Sequence, residues 1–168
     1  ECGYNYYTEG LEFKLDTNES YSVSYYKGTD TNVIIPSTYN GLPVTSIGGS
    51  AFFGCSSLES VTIPDNVTSI GDDAFYKCSS LTSVIIGNNV TKIGSYAFYD
   101  CTSLKNIVIP NSVTDIGNYA FYGCKSLTSI VIPDGVISIG SYAFYGCNSI
   151  KSVVIPVSVT SIGVKAFE

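Results

Sequence analysis

The feature that most constrains the fold is a repeat of 23 residues. The pentapeptide at 44–48, Val-Thr-Ser-Ile-Gly, returns in closely related form every 23 residues. Five complete units lie at 44–66, 67–89, 90–112, 113–135 and 136–158, and a partial sixth unit covers 159–168. A fixed period of this length is typical of solenoids, in which each repeat forms one coil and the stacked coils bury a continuous core.

Each unit contains one segment with the alternation of a half-buried strand. In the first unit it runs from Leu58 through Val61 to Ile63, and Pro64 ends it. Gly71 and its equivalents mark a position that needs a positive φ or a close backbone approach. The Ala-Phe pair that follows offers only a short apolar turn. We therefore predict a β-rich solenoid with a parallel sheet along one face and short turns or strands along the other.

The first 43 residues depart from the period and are predicted to form an N-terminal cap. The segments 11–15 and 21–25 alternate, and the polar cluster between them predicts a β-hairpin. Residues 33–36 then match the end of a repeat strand. The predicted domains are a hairpin cap with an entry segment at 1–43 and a solenoid at 44–168. We expect the array to continue beyond its last residue in a longer protein, the alternative being that another copy covers the last coil.

The repeat V-T-x-I-G-x-x-A-F-x-x-C-x-x-L-x-x-(V/I)-x-I-P resembles the BspA-like, or Treponema pallidum-type, leucine-rich repeat. The resemblance covers 44–168, and 33–43 is similar to the entry segment of that family. The chain departs from ordinary leucine-rich repeats in using Ile and Val more than Leu and in lacking a uniform Asn column. The resemblance implies a right-handed superhelix with a concave sheet. It also implies a secreted or surface-anchored bacterial protein that adheres to host proteins or to other cells.

The composition excludes several classes of function. The chain has no His, and all eight of its basic residues are Lys, so it has neither an imidazole base nor a guanidinium group for phosphate. A net charge of -6 argues against nucleic acid and anionic membranes as partners. No apolar run is long enough to insert into a membrane. We predict no enzyme activity, no cofactor and no metal. Because the chain lacks both Met and a signal peptide, we expect a leader or anchor to lie outside it.

Five cysteines recur in register and are predicted to form a ladder of buried thiols. They are Cys55, Cys78, Cys101, Cys124 and Cys147. Stacked equivalents form a line instead of a tetrahedron, and their side chains are parallel, so neither a metal site nor a disulfide framework is expected. Cys2 stands apart as a free thiol, a partner for another segment or a lipidated residue. The cluster at 16–19 has weak calcium-loop chemistry without the spacing of an EF-hand, and the remaining carboxylates are interpreted as solvated.

Two columns of side chains are candidate binding surfaces. If Val61 and Ile63 point inward, the residues next to them point outward, and an uncharged polar column then lies beside an aliphatic one. These columns are Ser83, Asn106, Ser129 and Ser152, and Ile85, Val108, Val131 and Val154. An exposed apolar strip suggests a protein-binding face on the concave sheet. The alternative is that β-branched residues simply suit strands.

The second candidate is aromatic and consists of two rows of tyrosines. One row is Tyr76, Tyr99, Tyr122 and Tyr145, and the other is Tyr96, Tyr119 and Tyr142. Stacked tyrosines bury their rings while their hydroxyls stay in water. The rows are interpreted either as a structural stack on the convex side or as a platform for a protein or for sugar rings.

These observations leave three hypotheses for function. The first is a non-catalytic module of an extracellular or cell-surface bacterial protein, which binds a host or cell-surface protein through the aliphatic strip. The second is a structural spacer or assembly array of a larger surface protein. The third is a carbohydrate-binding surface built on the tyrosine rows. The sequence does not specify an oligomeric state.

Overall fold

The computed structural model describes residues 7–16 and 19–168, and their chain winds into a solenoid with two sheets, in which strands of successive coils pair in parallel. No helix occurs among these residues. The strands are β1 Leu11–Leu15, β2 Tyr21–Tyr26, β3 Asn32–Ile34, β4 Thr38–Tyr39, β5 Leu42–Ile47, β6 Ser60–Thr62, β7 Ser69–Ile70, β8 Ser83–Ile85, β9 Lys92–Ile93, β10 Asn106–Ile107, β11 Asp115–Ile116, β12 Ser138–Ile139 and β13 Ser161–Ile162. The predicted β-rich solenoid is confirmed.

The short sheet has the strand order β10-β8-β6-β3, and all of its pairs are parallel. Val33, Val61 and Val84 lie opposite one another in register and point into the core, as the alternation predicted. Beyond β10 the strand pairing ends, although the alternation persists, since Ile130 is buried and Val131 is exposed. The face of this sheet therefore continues along residues 129–132. At 152–155 Val154 is exposed as expected, but the inward positions are less covered, since Val153 is half-buried and Ile155 is 38% exposed.

The long sheet has the order β1-β2-β5-β7-β9-β11-β12-β13, with β4 attached to β5. From β7 onward each strand is only two residues long, so the sequence alternation is too brief to specify it. The glycine that follows each strand is required by close packing. A Cβ on Gly117 would lie 2.5 Å from the backbone nitrogen of Ser95 and 2.6 Å from the carbonyl carbon of Gly94. Close backbone approach, and not positive φ, is what this column needs.

The predicted N-terminal hairpin is present and covers one end of the core. Strands β1 and β2 pair antiparallel, and β2 then pairs in parallel with β5. The Tyr26 ring lies 5.3 Å from the Phe52 ring, at the end of the phenylalanine stack. The Tyr26 hydroxyl accepts a hydrogen bond from the Asp30 backbone nitrogen at 3.0 Å. An aromatic ring with a satisfied polar group thus ends the stack.

The core is a column of phenylalanines beside a column of cysteines. The phenylalanine rings stack with centroids 4.9 to 5.2 Å apart along Phe52, Phe75, Phe98, Phe121, Phe144 and Phe167. Phe167 is the exposed member of this column, since it is 39% exposed. Phe167 and Ile162 lie in the last coil, where nothing in the described chain packs against their outer side. The same positions one coil earlier, Phe144 and Ile139, are buried.

Candidate binding surfaces

The aliphatic strip lies on the outward face of the short sheet and its continuation. The exposed fractions are 63% for Ile85, 79% for Val108, 77% for Val131 and 82% for Val154. The residues on either side of Val108, Ile107 and Ile109, are buried, which fixes the outward direction of its side chain. Four consecutive coils therefore expose a branched aliphatic side chain at the equivalent position.

The polar column runs alongside the strip. Ser83, Asn106, Ser129 and Ser152 are all exposed. Near the hairpin end, the Ser60 hydroxyl donates to the Asn32 side-chain oxygen at 2.6 Å. Charged groups lie on both sides of the two columns, with exposed Lys105 and Lys151 one residue before the polar column and exposed Asp134 beside Val131 and Val154. The two columns consequently form an uncharged surface with a charged rim, which is the usual composition of a protein-binding patch.

One residue of this face was missed by the sequence interpretation. Ile34 is 54% exposed and pairs in register with Thr62, which itself pairs with Ile85. The signal was available, because residues 33–36 match the end of a repeat strand. Half-buried Thr62 separates Ile34 from the other aliphatic residues.

The tyrosine ladder, defined as the two rows named above, lies on a different segment of each coil, in the turn that follows each strand of the long sheet. In the first row the centroids of neighbouring rings are 4.7 to 5.2 Å apart and the ring planes lie within 9° of parallel. In the second row the spacing is 4.8 Å. Exposed Phe53 extends the first row by one ring, at 4.8 Å from Tyr76. The tyrosine rings are half-buried.

The rings of the two rows contact each other at a tilt. Tyr96 lies 5.7 Å from Tyr99, Tyr119 lies 5.8 Å from Tyr122, and Tyr142 lies 5.5 Å from Tyr145, with interplanar angles of 44° to 56°. Because each ring inside a row stacks on its neighbours, the aromatic faces are covered and the ring edges form the surface. Sugar recognition normally uses an open ring face, which only the rings at the ends of the rows could offer.

The second row has a strained backbone. Tyr96, Tyr119 and Tyr142 have φ values of 57°, 56° and 58°, in the left-handed region where Gly and Asn are preferred. For a bulky residue this conformation costs about 1–2 kcal/mol. The equivalent residues Ser50, Asp73 and Lys165 also have a positive φ, so this conformation belongs to the coil and not to the tyrosines. In the second row ring stacking contributes about 0.5–1.5 kcal/mol per aromatic pair against this cost.

The ladder hydroxyls have no partner within the described chain. None of the seven makes a hydrogen bond to a described residue, and none is among the buried polar atoms that lack a partner, so they lie in water. Partial burial, followed by the nearby Asp100 carboxylate and the neighbouring tyrosines, raises the pKa of Tyr99. Partial burial and the hydroxyls of Tyr142, Tyr96 and Tyr122 raise the pKa of Tyr119. Tyr99 and Tyr119 are therefore held as neutral hydrogen-bond donors.

The other candidates provide no site. Cys78, Cys101, Cys124 and Cys147 are buried free thiols, as predicted, whereas Cys55, in the first complete coil, is only half-buried. Within 7–16 and 19–168 no three metal-ligating side chains come together. Cys2 and Asn18 lie outside the described residues, so the alternatives for Cys2 and for the 16–19 cluster stay predictions. Asp115 accepts hydrogen bonds from Ser138 and Thr114, which lower its pKa, as a solvated structural carboxylate would.

This fold, with its stacked 23-residue coils and repeated parallel strands, defines the class of leucine-rich-repeat solenoids. A model of the BspA type leucine rich repeat region matches 20–133 and 45–168 with six copies. The chain therefore belongs to the BspA-type leucine-rich-repeat family.

Solved structures give the same result. The leucine-rich repeat protein of T. pallidum is 28% identical, with a TM-score of 0.82 over 92% of this chain and 83% of that one. A leucine rich cell surface protein of Faecalibacterium prausnitzii is 32% identical, with a TM-score of 0.69 over 100% of this chain and 52% of that one. A leucine-rich repeat protein of Bacteroides ovatus is 25% identical, with a TM-score of 0.64 over 95% and 55%. No curated protein sequence matches.

The chain spans about half the length of the last two of these structures. Where the structure describes the chain, no helix combines the length and the hydrophobicity that a membrane crossing requires.

Proposed function

We propose that the chain is a non-catalytic protein-binding module of an extracellular or cell-surface bacterial protein, which mediates adhesion to host proteins or to other cells. The observation that carries this proposal is the strip of Ile85, Val108, Val131 and Val154, exposed in four consecutive coils with uncharged neighbours. Removing these groups from water favours association by about 25 cal/mol per Å² of apolar area. The cell-surface description of the F. prausnitzii relative supports the location.

The repeat explains how modest contacts could give useful affinity. Each coil offers the same small apolar contact on a sheet whose inward residues are fully packed. A partner that touches several coils adds these contacts without paying again for the loss of its translational freedom. The side chains next to the strip are short, so little rotamer entropy is lost on binding.

The test is a binding screen of the purified chain against immobilised extracellular-matrix proteins, plasma proteins and glycans. The Val108→Lys/Val131→Lys variant should lose at least 90% of saturable binding to a protein ligand, because two charges would be desolvated in the contact. The matched control is Ile137→Lys/Val164→Lys, which changes two exposed aliphatic residues away from the strip. Circular dichroism verifies that both variants fold. Protein binding that survives in the strip variant would refute the assignment of the site.

The second candidate, a spacer or assembly array, is supported by the near-identity of successive units. A specific site usually breaks a repeat locally, and the four exposed aliphatic positions show no such break. Absence of saturable binding across the panel would favour this function. The third candidate, sugar binding on the tyrosines, is weakened by the covered ring faces.

A further inference from the structure

We infer that the tyrosine ladder is a second binding surface, separate from the aliphatic strip, and that it takes a proline-rich segment in the polyproline II conformation. The inference rests on three properties of the ladder, namely which part of each ring is exposed, what its hydroxyls can donate to, and the spacing between rings. It does not depend on the function proposed for the strip.

The exposed part of the ladder is suited to polyproline II chemistry. The exposed ring edges of the two rows provide apolar contact for pyrrolidine rings. A polyproline II chain has no internal hydrogen bonds, so its carbonyl oxygens are free to accept. The hydroxyls of Tyr99, Tyr119 and Tyr122 are donors without a protein partner, as noted above. Aromatic-lined surfaces that combine these two features are the usual receptors for proline-rich segments.

The spacing of the rings matches the period of such a segment. Successive rings are 4.8 Å apart in the second row, so two steps along the ladder cover about 9.6 Å. Three residues of polyproline II, which complete one turn, cover about 9.3 Å. One face of the ligand therefore meets every second tyrosine with a mismatch of about 0.3 Å per turn. An extended strand repeats its side chains about every 6.7 Å, which matches neither one step nor two.

The surroundings of the first row are uncharged around Tyr122. The residue after Tyr122 and after Tyr145 is glycine, so no side chain follows these two rings. The other rings have charged neighbours, since Asp100 follows Tyr99 and Lys77 lies 5.5 Å above the Tyr76 ring. An uncharged ligand is therefore best accommodated on the part of the ladder that contains Tyr122.

The experiment titrates the protein with decaproline and with a glycine-serine decapeptide. The chain has no Trp, so its intrinsic fluorescence comes from its 14 tyrosines, seven of which form the ladder. We expect saturable binding of decaproline, confirmed by calorimetry, and no binding of the flexible peptide. The Tyr99→Phe/Tyr122→Phe variant keeps the stacked rings and removes two donors, so it should bind decaproline about five- to tenfold more weakly.

The controls separate this surface from the strip. The Val108→Lys/Val131→Lys variant should bind decaproline with unchanged affinity, whatever its effect on protein ligands. The inference is overturned if decaproline does not bind, if the glycine-serine peptide binds equally well, or if the phenylalanine variant keeps full affinity. Loss of decaproline binding in the strip variant alone would also overturn it, because the ligand would then lie on the short sheet.

Discussion

The Sγ atom of Cys101 lies 3.2 Å from the carbonyl oxygen of Phe75, and the same contact joins a cysteine to a phenylalanine 26 residues earlier in four successive coils. Each thiol thus donates to a carbonyl of the preceding coil from a fully packed position. The cysteine column fills small core sites and links adjacent coils.

This contact predicts unequal thiol reactivity. Burial raises the pKa of Cys78 to about 12, and it raises the pKa of Cys101 well above its usual value of 9.0. At pH 8 the native protein should therefore leave both residues unmodified by iodoacetamide. Burial also raises the pKa of Cys55, but this thiol is half-buried and should be labelled slowly. Peptide mapping by mass spectrometry measures each site separately. The urea-unfolded chain is the control, in which all sites should react, and labelling of Cys101 in the folded protein would contradict the ladder.

The phenylalanine stack predicts a large loss of stability on truncation. Phe98 is fully buried and stacks on Phe75 and Phe121 at 5.1 Å. Phe98→Ala should lower the free energy of unfolding by about 3–5 kcal/mol, because it removes apolar burial and leaves a cavity. Urea unfolding followed by circular dichroism measures it.

The matched control for Phe98 is Phe53→Ala. Phe53 is half-exposed and stacks on one ring only. Its loss should cost about 1 kcal/mol. Equal effects of the two substitutions would mean that the stack does not form the core.

The glycine column predicts a position-specific effect of a single methyl group. Gly117→Ala should destabilise the protein by about 2 kcal/mol or more, because the new Cβ would overlap the backbone of the preceding coil. At Gly49 a Cβ would meet only the Asp72 carbonyl oxygen, at 3.4 Å. Gly49→Ala should therefore change the stability by less than about 1 kcal/mol. Comparison of the melting temperatures tests the pair, and tolerance of Ala at 117 would refute the close approach.

The tyrosine ladder predicts a pH dependence at the alkaline side. The pKa values of Tyr99 and Tyr119 are raised above 10.0 in the folded protein, so above that pH the unfolded chain loses these protons first. The stability that the protonated hydroxyls of Tyr99 and Tyr119 contribute is fully present below pH 10. It is lost as the pH rises through their pKa values in the folded protein. Phenolate absorbance should show these tyrosines titrating later in the folded protein than in urea.

A matched variant isolates the ladder from the other groups that titrate in this range. Tyr119→Phe keeps the stacked ring and removes one late-titrating hydroxyl. The delayed phase of the titration should shrink accordingly. If the delayed phase is unchanged and the ordinary phase near pH 10 shrinks instead, Tyr119 ionises as an ordinary surface tyrosine.

The sequence by itself determined the coil and most of its interior. An uninterrupted period of 23 residues requires equivalent residues to stack, so the Phe and Cys columns, the hairpin cap and the outward direction of Val108 follow from alternation and register. The sequence did not decide why each coil needs a glycine, because the absence of a Cβ permits both a positive φ and a close backbone approach.

Only the tertiary structure decided what depends on neighbouring coils. The long sheet is built from two-residue strands, whose pairing comes from the coil before and the coil after. Whether Phe167 is buried depends on what packs beyond it. The covered faces and free hydroxyls of the tyrosines depend on distances of about 4.8 Å between residues that are 23 positions apart. A periodic sequence specifies which side chains are equivalent, whereas the stacking geometry decides which atoms of those side chains a partner can reach.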